Sequence, residues 1–371
     1  MQKIRLLDPN LPTPEQIAPF LSAMHERRWY TNFGPLVAEF ESKIQELLPC
    51  SNGDTARALA VGSGTLALDL ALRLLGLPTN SRVLLPSFNF PAAANVVCNA
   101  GLIPVFCEVD ADQWVLTPEI AHACIAHAEI DAVVPVATFG RPLDVDAWDA
   151  LVTSTGIPVV IDAAAALGQQ TVGKHATVAF SLHATKPFGI GEGGLLASAD
   201  EPLIERARRA SNFGFSTRQV VDLGLNAKMS EFHAAVGLAQ WERWPRLEEI
   251  RRRIWQVYGD HLEQISGIVL PADFRERPLA ALQVRLPAPA NKVARRLADA
   301  GIETRQWYCP PLHRHAAFAR FERVGEAGSD RLTLTDELTT ASLGLPWHSF
   351  LTLEDIARVC ESLEKALSDI G

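Results

Sequence analysis

The chain has 371 residues, 48% of them hydrophobic and 21% charged, and its formal net charge is −9. This length predicts a large domain with a smaller companion, and the balance of residue types excludes a disordered or fibrous chain. The acidic excess disfavours a general nucleic-acid binder, because phosphate backbones select for clustered Lys and Arg. We therefore expect a folded, soluble enzyme or binding protein that binds no nucleic acid.

The sequence also predicts where the protein is located and whether it holds a metal. The sequence lacks an apolar run of about 18 residues and the apolar region of a secretory signal, so we expect a cytoplasmic protein without a membrane partner. The six cysteines are scattered, and His313 and His315 have no nearby Cys, Asp or Glu to complete a metal site. Reduced thiols and no metal are predicted.

The N-terminal residues and the segment after them differ in pattern. Pro9, Pro12 and Pro14 indicate an extended arm, residues 1–30. Short apolar runs then alternate with helical patterns, which is typical of crossover units around a mostly parallel, buried sheet in a large domain, residues 31–245. Strands are predicted at residues 82–85, 103–109, 132–136, 157–161, 177–180 and 194–198, and helices at residues 65–75, 91–100 and 145–152.

The last third of the chain predicts a small domain, residues 246–371. A helix is expected over residues 229–265, broken at Pro245, and it leads the chain out of the large domain. The later elements indicate an α+β layer, with a strand at residues 281–286 and helices at residues 291–300 and 352–368. The expected fold class is α/β, with a mostly parallel central sheet flanked by helices and a smaller C-terminal α+β domain.

Lys186 lies in a glycine-rich loop after the predicted strand at residues 177–180. A lone lysine is most often a solvated surface charge. Asp162 changes this interpretation, because it follows another buried strand directly and a buried carboxylate needs a partner. Pyridoxal phosphate (PLP) gives a reason for both residues, since a lysine forms the Schiff base and an aspartate keeps the pyridinium nitrogen protonated.

A phosphate site is predicted at residues 61–65, Val-Gly-Ser-Gly-Thr, just before an apolar helical pattern. Small residues at a helix start let backbone amides approach an anion, and Ser63 and Thr65 add hydroxyl donors. A plain capped helix with a glycine turn explains these residues equally well. The two interpretations stay open at this point.

The glycines of residues 189–194 match the pattern of a dinucleotide-binding loop, which is the main competing signal. That loop must follow a strand and open a helix, whereas Gly194 leads into the predicted strand at residues 194–198. The context therefore argues against dinucleotide binding.

The sequence resembles the DegT/DnrJ/EryC1/StrS sugar aminotransferases, which have the fold type I architecture of PLP-dependent transferases. The resemblance covers nearly the whole chain. The matching motifs lie, in order, at residues 29–41, 62–68, 86–95, 162–164, 181–186, 224–231 and 308–313.

The resemblance implies a role for each matching residue. Phe90 stacks on the cofactor ring, Asp162 meets its nitrogen and Lys186 forms the Schiff base. The phosphate is held by Ser63, Gly64, Thr65 and Ser181. In the family an asparagine of the neighbouring subunit reaches the same phosphate, and Asn226 matches it, which implies a homodimer with shared active sites. The acceptor pocket is expected to include Tyr30, His183, Trp307, Tyr308 and His313.

Several positions depart from the family pattern. Ala165 stands where the family usually has Gln or His, and Ala227 and Lys228 stand where it often has an aromatic residue and Arg. Pro91 replaces a small or β-branched residue, and a proline is accommodated at a first helical position.

The predicted reaction is ping-pong transamination, in which an amino acid, by resemblance glutamate, donates the amino group to a nucleotide-linked 4-keto-6-deoxyhexose. Such a reaction belongs to amino-sugar, O-antigen or natural-product biosynthesis. The alternatives are a 3-keto sugar or keto-cyclitol acceptor, a PLP enzyme acting only on amino acids, and a non-catalytic regulatory protein of the same fold. A related sugar 3-dehydratase has histidine at the lysine position, so Lys186 argues against it.

Overall fold

The computed structural model describes residues 3–51, 53 and 56–370. Residues 1, 2 and 371, which belong to the expected arm and small domain, lie outside the described part, as do residues 52, 54 and 55. The helices are α1 (Pro14–Arg27), α2 (Pro35–Ile44), α3 (Gly64–Leu74), α4 (Pro91–Asn99), α5 (Pro118–His127), α6 (Val145–Thr155), α7 (Glu201–Ala210), α8 (Glu231–Leu262), α9 (Ala290–Asp299), α10 (Thr333–Ala341) and α11 (Leu353–Ser368). The strands are β1 (Arg57–Val61), β2 (Arg82–Pro86), β3 (Ile103–Cys107), β4 (Ala132–Val133), β5 (Val160–Asp162), β6 (Thr177–Ser181), β7 (Gly194–Ser198), β8 (Phe215–Ser216), β9 (Gln219–Val220), β10 (Leu282–Arg285), β11 (Arg323–Val324) and β12 (Ser342–Leu345).

The central sheet has the strand order β1-β7-β6-β5-β4-β2-β3-β11. Two parallel bridges, Val133 to Val159 and Val136 to Asp162, connect its halves between β4 and β5. Only β7 is antiparallel to its neighbours β1 and β6 among the described strands of this sheet. The prediction of a mostly parallel sheet is confirmed.

Helices cover both faces of this sheet. Because side chains alternate along a strand, Leu84 packs into one apolar cluster, whereas Val83 and Leu85 pack into another. The first cluster includes residues from α2, α5, α6 and the start of α8, and the second includes residues from α3, α4 and α7. Burial on both faces explains why these strands are nearly continuous apolar runs.

The N-terminal segment differs from the extended arm that we expected, because residues 14–27 form α1. Thr13 caps this helix and forms a reciprocal capping box with Gln16, and Pro14 occupies the first turn. A proline there has a suitable φ and lacks only an N–H that would have no helical partner. The proline that suggested an extended chain therefore starts a helix.

The helix α8 joins the two domains and runs without interruption through Pro245, so the predicted break was wrong. The proline removes one backbone hydrogen bond, but apolar burial on both sides of it offsets this loss. Trp244 and Leu247 pack into the large-domain cluster, and Trp255 and Tyr258 pack into the small-domain cluster. The domain boundary that we placed at residue 245 falls inside this helix.

The small domain packs β10 and β12, an antiparallel pair, against α9 and α11. Its apolar cluster also includes Ile4 of the N-terminal segment. Ile4 forms a parallel bridge to Ile302. Ile4 thereby joins the N-terminal segment to the small domain, while Asn10 further along accepts a hydrogen bond from Arg243 of α8 through its carbonyl oxygen. In the part of the chain that is described, no helix is long and apolar enough to cross a membrane.

Candidate active site

Polar and aromatic candidates gather at one edge of the central sheet. Ser63 follows β1, Phe90 follows β2 and Asp162 ends β5. These strands are parallel to one another, so their carboxyl ends lie at the same edge, where ligands of such sheets bind. Ser181 ends β6 at this edge too.

Asp162 and Lys186 form the charged centre of this edge. Asp162 is buried, and its carboxylate accepts a hydrogen bond of 3.0 Å from the backbone N–H of Ala164. Burial raises the pKa of Asp162, while this hydrogen bond and the charge of Lys186 lower it by less. Burial likewise lowers the pKa of Lys186, and Asp162 opposes that shift. A lysine with a lowered pKa has more free amine near neutral pH, which is what a nucleophile needs.

The loop that presents Lys186 is closed by backbone hydrogen bonds. Ala184 N–H donates to Gly191 C=O at 2.8 Å, and Lys186 N–H donates to His183 C=O at 2.8 Å. The loop needs Gly189, because a Cβ atom there would lie 2.5 Å from the carbonyl oxygen of Ala184. Gly194 opens β7, so the glycine run is a packing feature of this loop and not the start of a helix.

The turn at residues 62–64 packs directly against the end of β6. A Cβ atom on Gly64 would lie 2.6 Å from Cβ of Ser181, and one on Gly194 would lie 2.3 Å from the carbonyl oxygen of Ser63. Ser63 caps α3, and its Oγ accepts from Leu66 N–H at 3.2 Å. The capped helix and the anion site are therefore compatible, since the Ser63 hydroxyl proton and the first N–H groups of α3 stay available as donors.

Two aromatic residues belong to the same edge. Phe90 precedes α4, which starts at Pro91 as the sequence predicted, and the residue is 55% exposed. Tyr308 stacks on Phe139 with ring centroids 5.4 Å apart. Burial raises the pKa of Tyr308, and the charge of Asp162 adds to this shift. Tyr308 is therefore within reach of the charge of Asp162, and Phe90 is an exposed aromatic residue at the same edge.

The other residues expected in the acceptor pocket have protein partners. Tyr30 stacks on Phe232 at 6.2 Å, and Arg305 lies over the Trp307 ring at 4.2 Å. The remaining two are histidines with hydroxyl partners. His183 Nδ1 lies 2.9 Å from Thr185 Oγ1, and His313 Nδ1 lies 2.8 Å from Ser87 Oγ. His183 belongs to the Lys186 loop, whereas among the described residues no hydrogen bond, ion pair or ring contact joins Tyr30, Trp307 or His313 to Lys186 or Asp162.

Asn226 is exposed and lies beside the phosphate turn of its own chain. The backbone N–H of Gly62 donates to Ala227 C=O at 2.8 Å, and Val61 forms an antiparallel bridge with Lys228. The side chain of Asn226 accepts a hydrogen bond of 2.7 Å from Lys228 Nζ. Sequence reasoning noted Lys228 as a departure without giving it a role.

Sequence reasoning also missed the residues behind the lysine loop. A cavity of about 50 Å³ borders Lys186, and it is lined by Asp8 and Asn10 of the N-terminal segment and by Arg251 and His348 of the small domain. Burial lowers the pKa of Arg251 to about 10. These residues are far from Lys186 in sequence, and only the folding of the small domain brings them there.

The residues at the sheet edge fit PLP. Ser63 and Gly64 are half-buried and Thr65 is exposed, so a phosphate can reach the turn, and the exposed Phe90 suits an aromatic ring. Lys186 and Asp162 have the chemistry that the cofactor aldehyde and ring nitrogen require. The cofactor would be held by Ser63, Gly64, Thr65, Phe90, Asp162, Ser181 and Lys186.

Comparison with known proteins places the chain in a family. The sequence profile of the DegT/DnrJ/EryC1/StrS aminotransferase family matches residues 13–364. Protein Rv3402c of Mycobacterium tuberculosis is 32% identical over 98% of this chain and 90% of its own length. The dTDP-4-amino-4,6-dideoxy-D-glucose transaminase of Shigella dysenteriae is 27% identical over 98% of both chains. The crystal structure of DesI in the presence of its TDP-sugar product superposes with a TM-score of 0.87 at 28% identity, covering 100% of this chain and 94% of DesI.

The fold and the site together define a PLP-dependent aminotransferase of fold type I. The chain belongs to the DegT/DnrJ/EryC1/StrS aminotransferase family, as its motifs predicted.

Proposed function

We propose that this enzyme transfers the amino group of glutamate to a nucleotide-linked keto sugar, a 4-keto-6-deoxyhexose, in amino-sugar, O-antigen or natural-product biosynthesis. The observation that carries the proposal is that Lys186 and the buried Asp162 lie within reach of each other's charge at the sheet edge where the Ser63 turn packs against the end of β6. The Shigella transaminase is named for an amino sugar and DesI for a TDP-sugar product, and both match this chain over almost its full length.

The proposed roles follow from the chemistry of each side chain. When bound, PLP supplies an aldehyde and an electron sink. Lys186 is the nucleophile, and its free amine moves the proton to and from the substrate carbon. Asp162 holds the proton on the ring nitrogen. Tyr308 supports an acceptor pocket beside Asp162, because burial and that carboxylate both raise the pKa of its hydroxyl and keep it protonated as a donor.

We assign Phe90 the stacking role, and Ser63, Gly64, Thr65 and Ser181 the phosphate role. Tyr30, His183, Trp307 and His313 remain proposed contributors to the acceptor pocket. The cytoplasmic location stays a prediction from the sequence.

A homodimer with shared active sites is part of this proposal. Large apolar side chains are exposed on the β8–β9 hairpin and the segments beside it, which we call the hairpin patch: Phe213, Phe215, Val220, Val221 and Leu223. Leu223 is 97% exposed. Clustered exposed apolar residues favour a protein interface, and the patch lies just before Asn226 in the chain. If a second copy of the chain covers the hairpin patch, Asn226 of the first copy would lie near the phosphate turn of the second copy.

Hybrid dimers test the shared site. N226A and K186A should each have little activity at low cofactor concentration. If Asn226 serves the partner's site, half of the dimers formed on random mixing have one intact site, and mixing restores about a quarter of wild-type activity. If Asn226 instead serves the site of its own subunit, each site of a hybrid dimer carries either N226A or K186A, so no site is intact. No recovery would contradict the shared site.

The two half-reactions test the reaction. Glutamate alone should convert the lysine-bound cofactor to its amino form, seen as a change in visible absorption. A nucleotide-linked 4-keto-6-deoxyhexose should then restore the original spectrum, and the matched sugar without the keto group should not. If another amino donor converts the cofactor and glutamate does not, the assignment of glutamate as the donor is wrong. No response to any keto sugar or keto-cyclitol would contradict sugar amination.

A further inference from the structure

The segment at residues 226–228 is extended and has two different faces. Ala227 is buried, and its carbonyl accepts from Gly62 N–H at 2.8 Å. Alternate residues of an extended segment point the same way, so Asn226 and Lys228 share the opposite face. Their shared face lies beside the phosphate turn and outside the apolar cluster that contains Ala227.

Lys228 is held on this face by two contacts. Its Nζ donates to Oδ1 of Asn226 at 2.7 Å and lies 4.9 Å from the centroid of the Phe213 ring. Burial lowers the pKa of Lys228. Among the residues that the structure describes, no carboxylate lies within ion-pair distance of this ammonium group, so no acidic side chain competes with the Asn226 contact.

The chemistry of an ammonium group fixes the orientation of the amide. Lysine can only donate hydrogen bonds, so the atom of Asn226 that faces Nζ must be the carbonyl oxygen. The NH2 group then points away from Lys228 with its N–H donors free of that contact. An exposed asparagine otherwise rotates broadly about its last torsion and presents either end.

We propose that Lys228 is a positioning residue that locks the Asn226 amide, so that its NH2 group is presented as a donor to the cofactor phosphate of a second copy of the chain. This inference rests on the proposed shared active site. It deepens that proposal by assigning a role to a lysine at a position where the family often has arginine. Phe213 of the hairpin patch supports the lysine through its ring face.

Cofactor affinity with and without the phosphate is the direct test. Apoprotein would be titrated with PLP and with pyridoxal, which lacks the phosphate. The dissociation constant of pyridoxal divided by that of PLP isolates the phosphate contribution. K228M keeps the apolar stem of the side chain and removes the donor. We expect the ratio to fall about tenfold in K228M, the effect of one charge-assisted hydrogen bond, and to recover in K228R. K292M, which removes an exposed lysine of α9, should leave the ratio unchanged.

The double variant separates positioning from direct contact. If Lys228 acts through Asn226, N226A/K228M should bind PLP no more weakly than N226A alone. An additive loss would mean that Lys228 contacts the phosphate itself and would overturn the positioning role.

Sedimentation of each variant separates this inference from the proposed function. A dimeric wild type that retains the phosphate preference, together with an unchanged ratio in dimeric K228M, would overturn this inference alone. A monomeric wild type with full PLP affinity would overturn the shared site and this inference together. If K228M loses the dimer, F213L with an intact dimer and a reduced ratio supports the same role, and an unchanged ratio contradicts it.

Discussion

Asp162 raises the pKa of Lys186, and burial lowers it by more. The carboxylate therefore favours the protonated form of the Lys186 amine, while burial favours the neutral form. This opposition suits a residue that acts as nucleophile and then as a base.

The first prediction concerns Lys186 itself. Lys186→Ala should abolish borohydride-dependent attachment of PLP and lower amino transfer by at least about 10⁴-fold, because no other nucleophile is assigned to the site. Peptide mapping by mass spectrometry after reduction checks this. Lys174→Ala, which removes an exposed lysine, is the control. Attachment that persists in the Lys186 variant would contradict the assignment.

The second prediction concerns pH. An amine reacts with an aldehyde only when it is neutral, so the rate at which apoprotein captures PLP should rise with pH. The midpoint should lie below the ordinary lysine value of 10.5, because burial lowers the pKa of Lys186. In Asp162→Asn the midpoint should move lower still, since the carboxylate favours the charged amine. Stopped-flow absorbance measures the rate, and a midpoint that rises in this variant would contradict the electrostatic coupling.

The third prediction concerns the stability of the apoprotein. The pKa of Asp162 is raised by burial, so ionising it costs more in the folded than in the unfolded state. Stability should therefore fall as pH rises from the ordinary value of 3.8 through the raised pKa. Asp162→Asn removes this cost and should raise the free energy of unfolding near pH 7.

Asp162→Asn should also lose activity, although its apoprotein gains stability. An amide cannot hold the ring nitrogen protonated, so we expect amino transfer to slow by about 10²-fold or more. Urea unfolding and single-turnover kinetics measure the two effects, and Asp299→Asn at an exposed position controls for loss of a surface charge. A destabilised Asp162→Asn apoprotein would contradict the burial cost.

The fourth prediction concerns the phosphate turn. Gly64→Ala places a Cβ atom 2.6 Å from Cβ of Ser181, so the turn must shift. We expect a loss of about 1–3 kcal/mol in unfolding free energy and a weaker preference for PLP over pyridoxal. In Gly62→Ala the nearest atom, Cδ1 of Leu66, lies at 3.4 Å, so this control should be nearly neutral for stability. Equal effects in both variants would contradict the steric account.

Much of the site could be predicted from the sequence because buried parallel strands leave long apolar runs. The strands β2, β3, β6 and β7 lie within or near their predicted positions, and Asp162 ends its strand as expected. The strand β1 was missed, because Arg-Ala-Leu-Ala-Val is rich in alanine, which has low strand propensity. The two-residue strand β11 leaves no periodic pattern to detect.

The remaining features depend on contacts between distant parts of the chain. No local pattern places Arg251 and His348 behind the Lys186 loop, because the small domain must first pack there. The contact between Lys228 and Phe213 likewise requires the segments around β8 and β9 to fold back on each other. Continuity of α8 through Pro245 depends on packing in two domains, which a local breaker rule ignores.

Transfer of the nitrogen atom tests the central claim most directly. The enzyme would be incubated with ¹⁵N-labelled glutamate and a nucleotide-linked 4-keto-6-deoxyhexose, and the sugar product analysed by mass spectrometry. We predict that ¹⁵N appears in the sugar with the wild type and is absent with Lys186→Ala. Wild-type enzyme that removes nitrogen from glutamate but never delivers it to a keto sugar would contradict the proposed function.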